Sequence, residues 1–463
     1  MKKTTISTLA LTLLIVGAVD GISNLPTIAL FGAHMLFFFP VAALLFLWPT
    51  GATAAELSVH HCNDSGIYVW VNKAFGPRWA GLAVWLQWIN TLVWFPTSLA
   101  TLTGTLAYLI NPALVHHPAF LVASSVSVFW SLTALNLFGV KKSTHFAAIT
   151  TGFGMIIPVT LIIVLSLIWT SLGKPTALSL SWSHAIPPLN QVDSWTTLTS
   201  IMAAFLGMEL AAVHVKRFNN AASVFPKALF YAIIVILLTM GIGAFCVATV
   251  IPAKQIVLVS GTIETFTHLL TGFHLHWAST LLGIMLVSGS LGAMVNWLIS
   301  PANSLAQAAS DHFIPASLAQ ENQYGVPYKI LLLQGGIVTL VSLVFFVLPS
   351  VNGSYWLLLD MSTELYLLMY VLLFCSALVL LSKAPTISII PFGKTGAIAT
   401  CLIGLIGCAL AIFVGFIPPS NINVGSHLHY VLLFLSGLLL LCLPALLLRH
   451  YQNKHAPTSA NGV

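Results

Sequence analysis

Of the chain's 463 residues, 58% are apolar and 6% are charged, and the mean hydropathy is +0.98. A soluble domain carries roughly 25% charged residues, so this chain cannot cover a water-facing surface and reads as an integral membrane protein. Its net charge of +6 comes with no run of Lys and Arg long enough to suggest nucleic acid as a partner.

A helix that crosses a bilayer takes about 20 mostly apolar residues. About twelve segments meet that length, near 5–31, 35–57, 79–110, 118–138, 146–171, 194–214, 226–251, 275–308, 328–348, 353–381, 396–417 and 428–448. Each is too long for a barrel strand, which needs about ten alternating residues. The first has the lysines and apolar run of a signal peptide, but the run is too long and carries Asp20 and Pro26, so it reads as a retained span. The connections near 58–78, 172–193, 252–274 and 309–327 are too short to hold a separate core. The expectation is one polytopic domain over 1–463 with a polar tail at 451–463.

Lysine and arginine orient the chain. With the N-terminus in the cytoplasm, fourteen of the sixteen fall inside, and only Lys174 and Lys254 fall outside. Both termini are then cytoplasmic, and the net charge reflects topology. The six cysteines are scattered without a CxxC pair and read as small packing residues, not as metal ligands or a disulfide framework. Histidines pair near span ends, as at His60 and His61 or His427 and His429, where they read as interfacial polar groups able to titrate near neutrality.

Two spans are interrupted. The first reads IVGAVDGISNLPTIALFG over 15–32 and packs Gly17, Asp20, Gly21, Ser23, Asn24 and Pro26 into one helix. The second is AAFLGMELAAVH over 203–214, with Gly207 beside Glu209. Gly and Pro both weaken helix interiors, and irregular backbone at membrane depth is tolerated only where protein or a wet cavity satisfies it. Either break alone also reads as a packing kink. As a pair they stand in spans one and six, an odd offset of five, so a repeat of that length is inverted in the membrane. Matched breaks in inverted halves mark a transporter's substrate site, because half-helix ends offer N–H and C=O groups to a carboxylate and an ammonium. The backbone at Asp20, Gly21, Ile22, Ser23 and Asn24, and at Leu206, Gly207 and Met208, is the candidate binding surface, with the small Ala203 widening the pocket.

Carboxylates lie within spans at Asp20, Glu56, Glu209, Asp360 and Glu364. A charge at a helix centre costs roughly 2.5–3.5 kcal/mol on insertion scales, and few cations lie at depth to pair with these groups. They are candidates for proton exchange, with Glu209 first and Asp20 second. Glu56, near the end of span two, reads more plainly as a structural hydrogen-bond partner. Asp360 and Glu364 stand one helical turn apart on one face and either gate the outer vestibule or face water in it.

The motifs NLPTIALFG (24–32), TAAEL (53–57), SGIYVWVNKAFGPRW (65–79), FLGMELAAVH (205–214), SLGAMVNW (290–297), ASDHFIP (309–315) and IPPSNINVG (417–425), in this order and spacing, resemble the amino acid–polyamine–organocation (APC) transporters. The branch they resemble is that of the bacterial glutamate/γ-aminobutyrate antiporters. The resemblance covers nearly the whole chain. It implies an all-α membrane protein with a five-plus-five inverted repeat and broken helices one and six, a LeuT-like fold. The repeat halves would be about 1–171 and 193–382, with extra helices at about 394–450. It implies substrate held between spans one and six, closed in by spans three, eight and ten. It places Glu209 at a glutamate tied to proton-dependent gating, and Trp297 at a pocket aromatic of span eight; read from the residues alone, Trp297 is as readily a packing aromatic. The chain departs from relatives in three places. GISNLP stands where basic-amino-acid exchangers have a GSG-type motif, VKRFNNAASVFPKA (215–228) lacks an acidic, proline-rich start, and thirteen polar tail residues are too few to plug the cytoplasmic mouth.

The reading is a secondary amino-acid transporter of the bacterial inner membrane, an exchanger or proton-coupled carrier working by alternating access. Its partners are an amino acid, protons and the lipid bilayer, and it acts as a monomer or homodimer with no cofactor and no metal. The alternative is an amino-acid-sensing transceptor or a channel, although neither filter loops nor charged rings are visible. An enzyme would need a motif such as HExxH or GxSxG, and an ATP-driven pump a GxxxxGK[ST] loop; none is present.

Overall fold

Long apolar runs satisfy their backbone hydrogen bonds within each segment, the condition for crossing a bilayer as a helix. The computed structural model describes residues 8–19, 21–60, 66–138, 154, 157–178, 185–188, 190, 192–210, 221–309, 313–383, 388–420 and 422–455, and these are helical apart from turns and short links. Nine helices among them are long and apolar enough to span: Gly32–His60, Pro77–Ile110, Pro118–Leu137, Val224–Val250, His276–Gln307, Tyr328–Phe346, Val351–Lys383, Gly393–Val414 and His427–Leu448. Two shorter apolar helices, Ile157–Ser171 and Thr196–Leu210, and the interrupted pair Thr8–Val19 and Asn24–Ala29 supply three further segments. In chain order these are spans one to twelve, as the apolar runs predict.

Span three packs most extensively against spans eight and ten. Span twelve is the least buried and presents most of its leucines outward. Span two carries a π-helical turn at Ala43–Leu47. The Leu45 carbonyl there lies so near Gly407 of span eleven that a Cβ on Gly407 would come within 2.3 Å of it. Helix starts follow local chemistry: Pro77 and Pro118 sit in first turns, where the missing N–H costs nothing.

Two connections carry helices that hydropathy alone did not reveal. Ile67–Phe75 is a short amphipathic helix that buries Ile67, Trp70 and Val71; it ends at Gly76, whose φ of +86° few other residues adopt. Gly261–Gly272 forms a roof helix between spans seven and eight. Gly261 packs on Pro26 of span one, where a Cβ would come within 2.8 Å of the proline ring. The strand-like lead into the roof is held by Asn352 of span ten, which accepts from the Leu258 N–H at 2.9 Å and donates to the Ile256 carbonyl at 3.0 Å. At the other end of the bundle, Glu56 accepts from the His60 ring at 3.1 Å and from the Ile389 N–H at 3.0 Å. That ties span two to the connection between spans ten and eleven, the structural job its position suggested.

Span three meets the roof through Gly104, where a Cβ would stand 2.5 Å from the Val259 carbonyl oxygen, a backbone atom that cannot swing away. Gly336 of span nine has open space at the same test. Gly104→Leu should therefore cost about 1–3 kcal/mol by overpacking, while Gly336→Leu leaves stability near wild type. Thermal midpoints of the two purified variants check this; equal midpoints would refute the packing argument.

Candidate functional site

The break in span six is visible in the backbone. The helix Thr196–Ala204 stops, Phe205 to Gly207 form a turn, and Gly207 adopts φ +103°, a region that side chains disfavour. The break in span one runs from Val19 to Asn24. There Asn24 N–H returns to the Gly21 carbonyl at 2.9 Å, and the Thr262 hydroxyl of the roof helix donates to the Ile22 carbonyl at 3.2 Å. Protein groups thus meet part of the backbone freed in span one, as membrane depth demands.

Between the two breaks lies a cavity of about 110 Å³. Roughly 300–1,000 Å³ is usual for drug-sized ligands, so this one suits a small solute. Span one contributes Gly21, Ile22, Ser23 and Asn24, and span six contributes Ala203 and Leu206. Span three adds Asn90, Thr91, Trp94 and Ser98; span eight adds Ser290, Ala293 and Trp297; span ten adds Leu359, Ser362, Thr363 and Tyr366. Trp94 and Trp297 meet at 5.5 Å between ring centroids and form one wall. Among the described residues the lining holds hydroxyls, amides and aromatics, with no Lys, Arg, His, Asp or Glu.

Of the residues singled out from the sequence, Gly21, Ile22, Ser23, Asn24, Ala203, Leu206 and Trp297 are brought together around this cavity. Met208 is fully buried with its methyl towards Gly51 of span two, away from the cavity. Gly207 turns its N–H to the Tyr370 hydroxyl at 2.9 Å. Asp20 lies outside the described residues.

Glu209 is 2% exposed and sits behind the cavity wall. Three donors converge on its carboxylate. Gln87 Nε2 of span three donates to Oε1 at 3.1 Å, Tyr366 to Oε1 at 2.5 Å, and Tyr370 to Oε2. Tyr366 also lines the cavity, so one hydroxyl links the solute's space to the buried acid. Tyr370 links the same acid to the backbone of the break through Gly207. No cation takes part in these contacts; the carboxylate is held by neutral donors from spans three and ten.

Asp360 and Glu364 are each 2% exposed and face neither water nor the cavity. They lie on a different face of span ten from Ser362, Thr363 and Tyr366, toward spans eleven and twelve. The expected position in an outer vestibule is therefore not where they stand.

Gln87, Tyr366 and Tyr370 were not anticipated, nor was the polar lining of spans three and ten. A signal existed: 87, 90, 91, 94 and 98 repeat the spacing of 359, 362, 363, 366 and 370, each one stripe of a helix. Apart from Leu359, both stripes are polar or aromatic.

Two broken helices meeting at a small cavity within a membrane bundle are the arrangement found in secondary transporters. The amino acid permease family model matches residues 6–439, and the chain belongs to that family. It is 34% identical over 442 residues to an uncharacterized transporter of Legionella pneumophila, covering 95% of each chain. It is 28% identical over 428 residues to the glutamate/gamma-aminobutyrate antiporter of Lactococcus lactis subsp. lactis, covering 90% of this chain and 85% of that one. It is also 26% identical over 379 residues to the arginine/ornithine antiporter of Pseudomonas aeruginosa, covering 78% and 76%. The protein is therefore a secondary amino-acid transporter.

Removing the Tyr370 hydroxyl strands both the Gly207 N–H and one Glu209 oxygen in a buried setting. Tyr370→Phe should lower stability by about 1–3 kcal/mol, the cost of buried groups left unpaired. Thermal unfolding of the purified variant is the check, and a wild-type midpoint would show that the two bonds carry no stability.

Proposed function

We propose that this chain carries a small zwitterionic amino acid, of the glutamate/γ-aminobutyrate kind, across the bacterial inner membrane by alternating access, with Glu209 as the proton-responsive gate. The observation that carries the reading is the placement of a small cavity at the meeting of two helix breaks, with Tyr366 joining that cavity to Glu209. At the break in span one the Ser23 hydroxyl and the Asn24 amide can meet a carboxylate, since the Asn24 and Leu25 N–H groups are already bonded to Gly21 and Ile22 and Pro26 has none, and the carbonyl end of Thr196–Ala204 offers negative character to an ammonium. With no fixed charge among the described lining residues, the rest of the solute meets hydroxyls, amides and the Trp94–Trp297 wall. This favours a substrate whose side chain enters uncharged.

The gate follows from hydrogen-bond supply. An ionised Glu209 accepts from Gln87, Tyr366 and Tyr370 at once. A proton on Glu209 turns one acceptor into a donor, so at least one tyrosine must redirect its hydroxyl. Tyr366 is the one that borders the solute, and Tyr370 is the one that borders the break. Protonation is thereby felt both by the bound solute and by the backbone at Gly207. The two halves, about 1–171 and 193–382, rock around this site as inverted repeats, with both termini on the cytoplasmic side, where fourteen of sixteen Lys and Arg then fall.

A counterflow panel of labelled amino acids in proteoliposomes, from pH 4 to pH 8, tests the reading. Saturable exchange of a glutamate- or γ-aminobutyrate-like solute is the expected result. No movement of any amino acid at any pH would end it, and unsaturable flux would point to a channel. Glu209→Gln should insert normally and flatten the pH dependence of exchange; a variant with the wild-type pH profile removes Glu209 from the gate.

A further inference from the structure

Asp360 and Glu364 are left unused by the site above, and their surroundings are unusual for carboxylates. They stand one turn apart on span ten, each 2% exposed, and neither touches the cavity. Asp360 accepts one hydrogen bond, from the Tyr430 hydroxyl of span twelve at 3.0 Å. Glu364 Oε1 is buried without any partner. It presses against Gly415 at the end of span eleven, where a Cβ would stand 2.0 Å from that oxygen. A second polar group at the same place is also unsatisfied. The Trp356 indole N–H, 1% exposed and one turn before Asp360, is buried without a hydrogen-bond partner.

The neighbours of the pair, element by element, are a phenol from span twelve (Tyr430), a thiol from span eleven (Cys408) and the two carboxyls themselves on span ten. Among the described residues no Lys, Arg or His pairs with either group. Gly415 is where the carbonyl end of span eleven arrives, the negative end of that helix. Two negative charges one turn apart in such a place repel each other and lack solvation. A proton on either group removes one of the two charges. A metal cation suits the place poorly, since hard cations take six or more oxygens. Among the described residues the Tyr430 phenol is the one side-chain hydroxyl bonded to the pair, and no group of three or more His, Cys, Asp and Glu is assembled.

We propose that Asp360 and Glu364 form a second proton-binding site, separate from the substrate cavity and from Glu209, at the contact of span ten with spans eleven and twelve. The proposal rests on the transport reading for its consequence. Span ten carries Tyr366 and Tyr370 on one face and this pair on another, so a proton gained or lost here alters how span ten sits against spans eleven and twelve while those tyrosines hold Glu209. Proton uptake by the protein then has two seats on one helix, one read by the solute and one read by the scaffold.

Infrared difference spectroscopy of the full-length protein in lipid, titrated with pH, reads the site without any need for transport. The wild type should show a protonated-carboxyl band that Asp360→Asn/Glu364→Gln removes and that Glu209→Gln retains. In proteoliposomes the same double variant should keep its substrate KM, while the midpoint of its pH profile moves by about one unit, the scale on which two coupled carboxyls separate. If the double variant is lost in purification, Glu364→Gln alone carries both measurements. A wild type with no band assignable to the pair overturns the proposal, as does a variant with an unchanged pH profile. A band that responds to sodium at fixed pH also overturns it in favour of a cation site. Wild-type protein that transports nothing would instead strike the transport reading, while the infrared result still decides whether the pair holds a proton.

Discussion

The rule that no backbone polar group goes unpaired at membrane depth organises this protein. Ten spans meet it with unbroken or gently distorted helices. Spans one and six do not, and the groups they free must be met from elsewhere. The Ile22 carbonyl is met by Thr262 from the roof helix and the Gly207 N–H by Tyr370 from span ten. These bonds join each break to an element remote in sequence. A small cavity remains where the two breaks meet.

Glu209 follows the same rule. A carboxylate in an apolar bundle calls for a cation or for several neutral donors. Here it receives three neutral donors, two of them phenols from successive turns of span ten. A cation would hold the acid ionised. Neutral hydroxyls can donate or accept, so the arrangement tolerates a proton on the acid with a change of hydrogen-bond direction. The cavity stays free of side-chain charge among its described residues, which leaves the half-helix ends as its main electrostatic features.

Much of this was legible in the chain. Gly207 beside Glu209, and the GISNLP stretch, announced the two interruptions, and the odd offset between spans one and six announced their meeting. Residues at the breaks do line the cavity, as Gly21 to Asn24, Ala203 and Leu206 illustrate. The partners of Glu209 were harder to read. Gln87 is 122 residues away and Tyr366 is 157, and no local pattern names a contact over that distance. The stripes through Asn90 and Thr91, and through Ser362 and Thr363, carried helical periodicity, which says that residues share a face but not what the face meets. Asp360 and Glu364 make the same point. Periodicity put them together, and only the arrival of Tyr430 and Gly415 from spans twelve and eleven made their surroundings buried instead of wet.

The sequence by itself determined the solvent, the number of crossings and the places where helices break, because those depend on the lengths of apolar runs and on Gly and Pro within them. It also marked the carboxylates that cost most to bury. Tertiary structure decided which breaks meet, which hydroxyls hold Glu209, and which acids face the cavity and which face the scaffold. Those outcomes depend on the rotation and packing of twelve similar helices. Apolar helices are nearly interchangeable to lipid, so their mutual orientation is set by small residues such as Gly104, Gly407 and Gly415 that permit close approach. That close-packed geometry, more than hydropathy, turned two weak helices into one site.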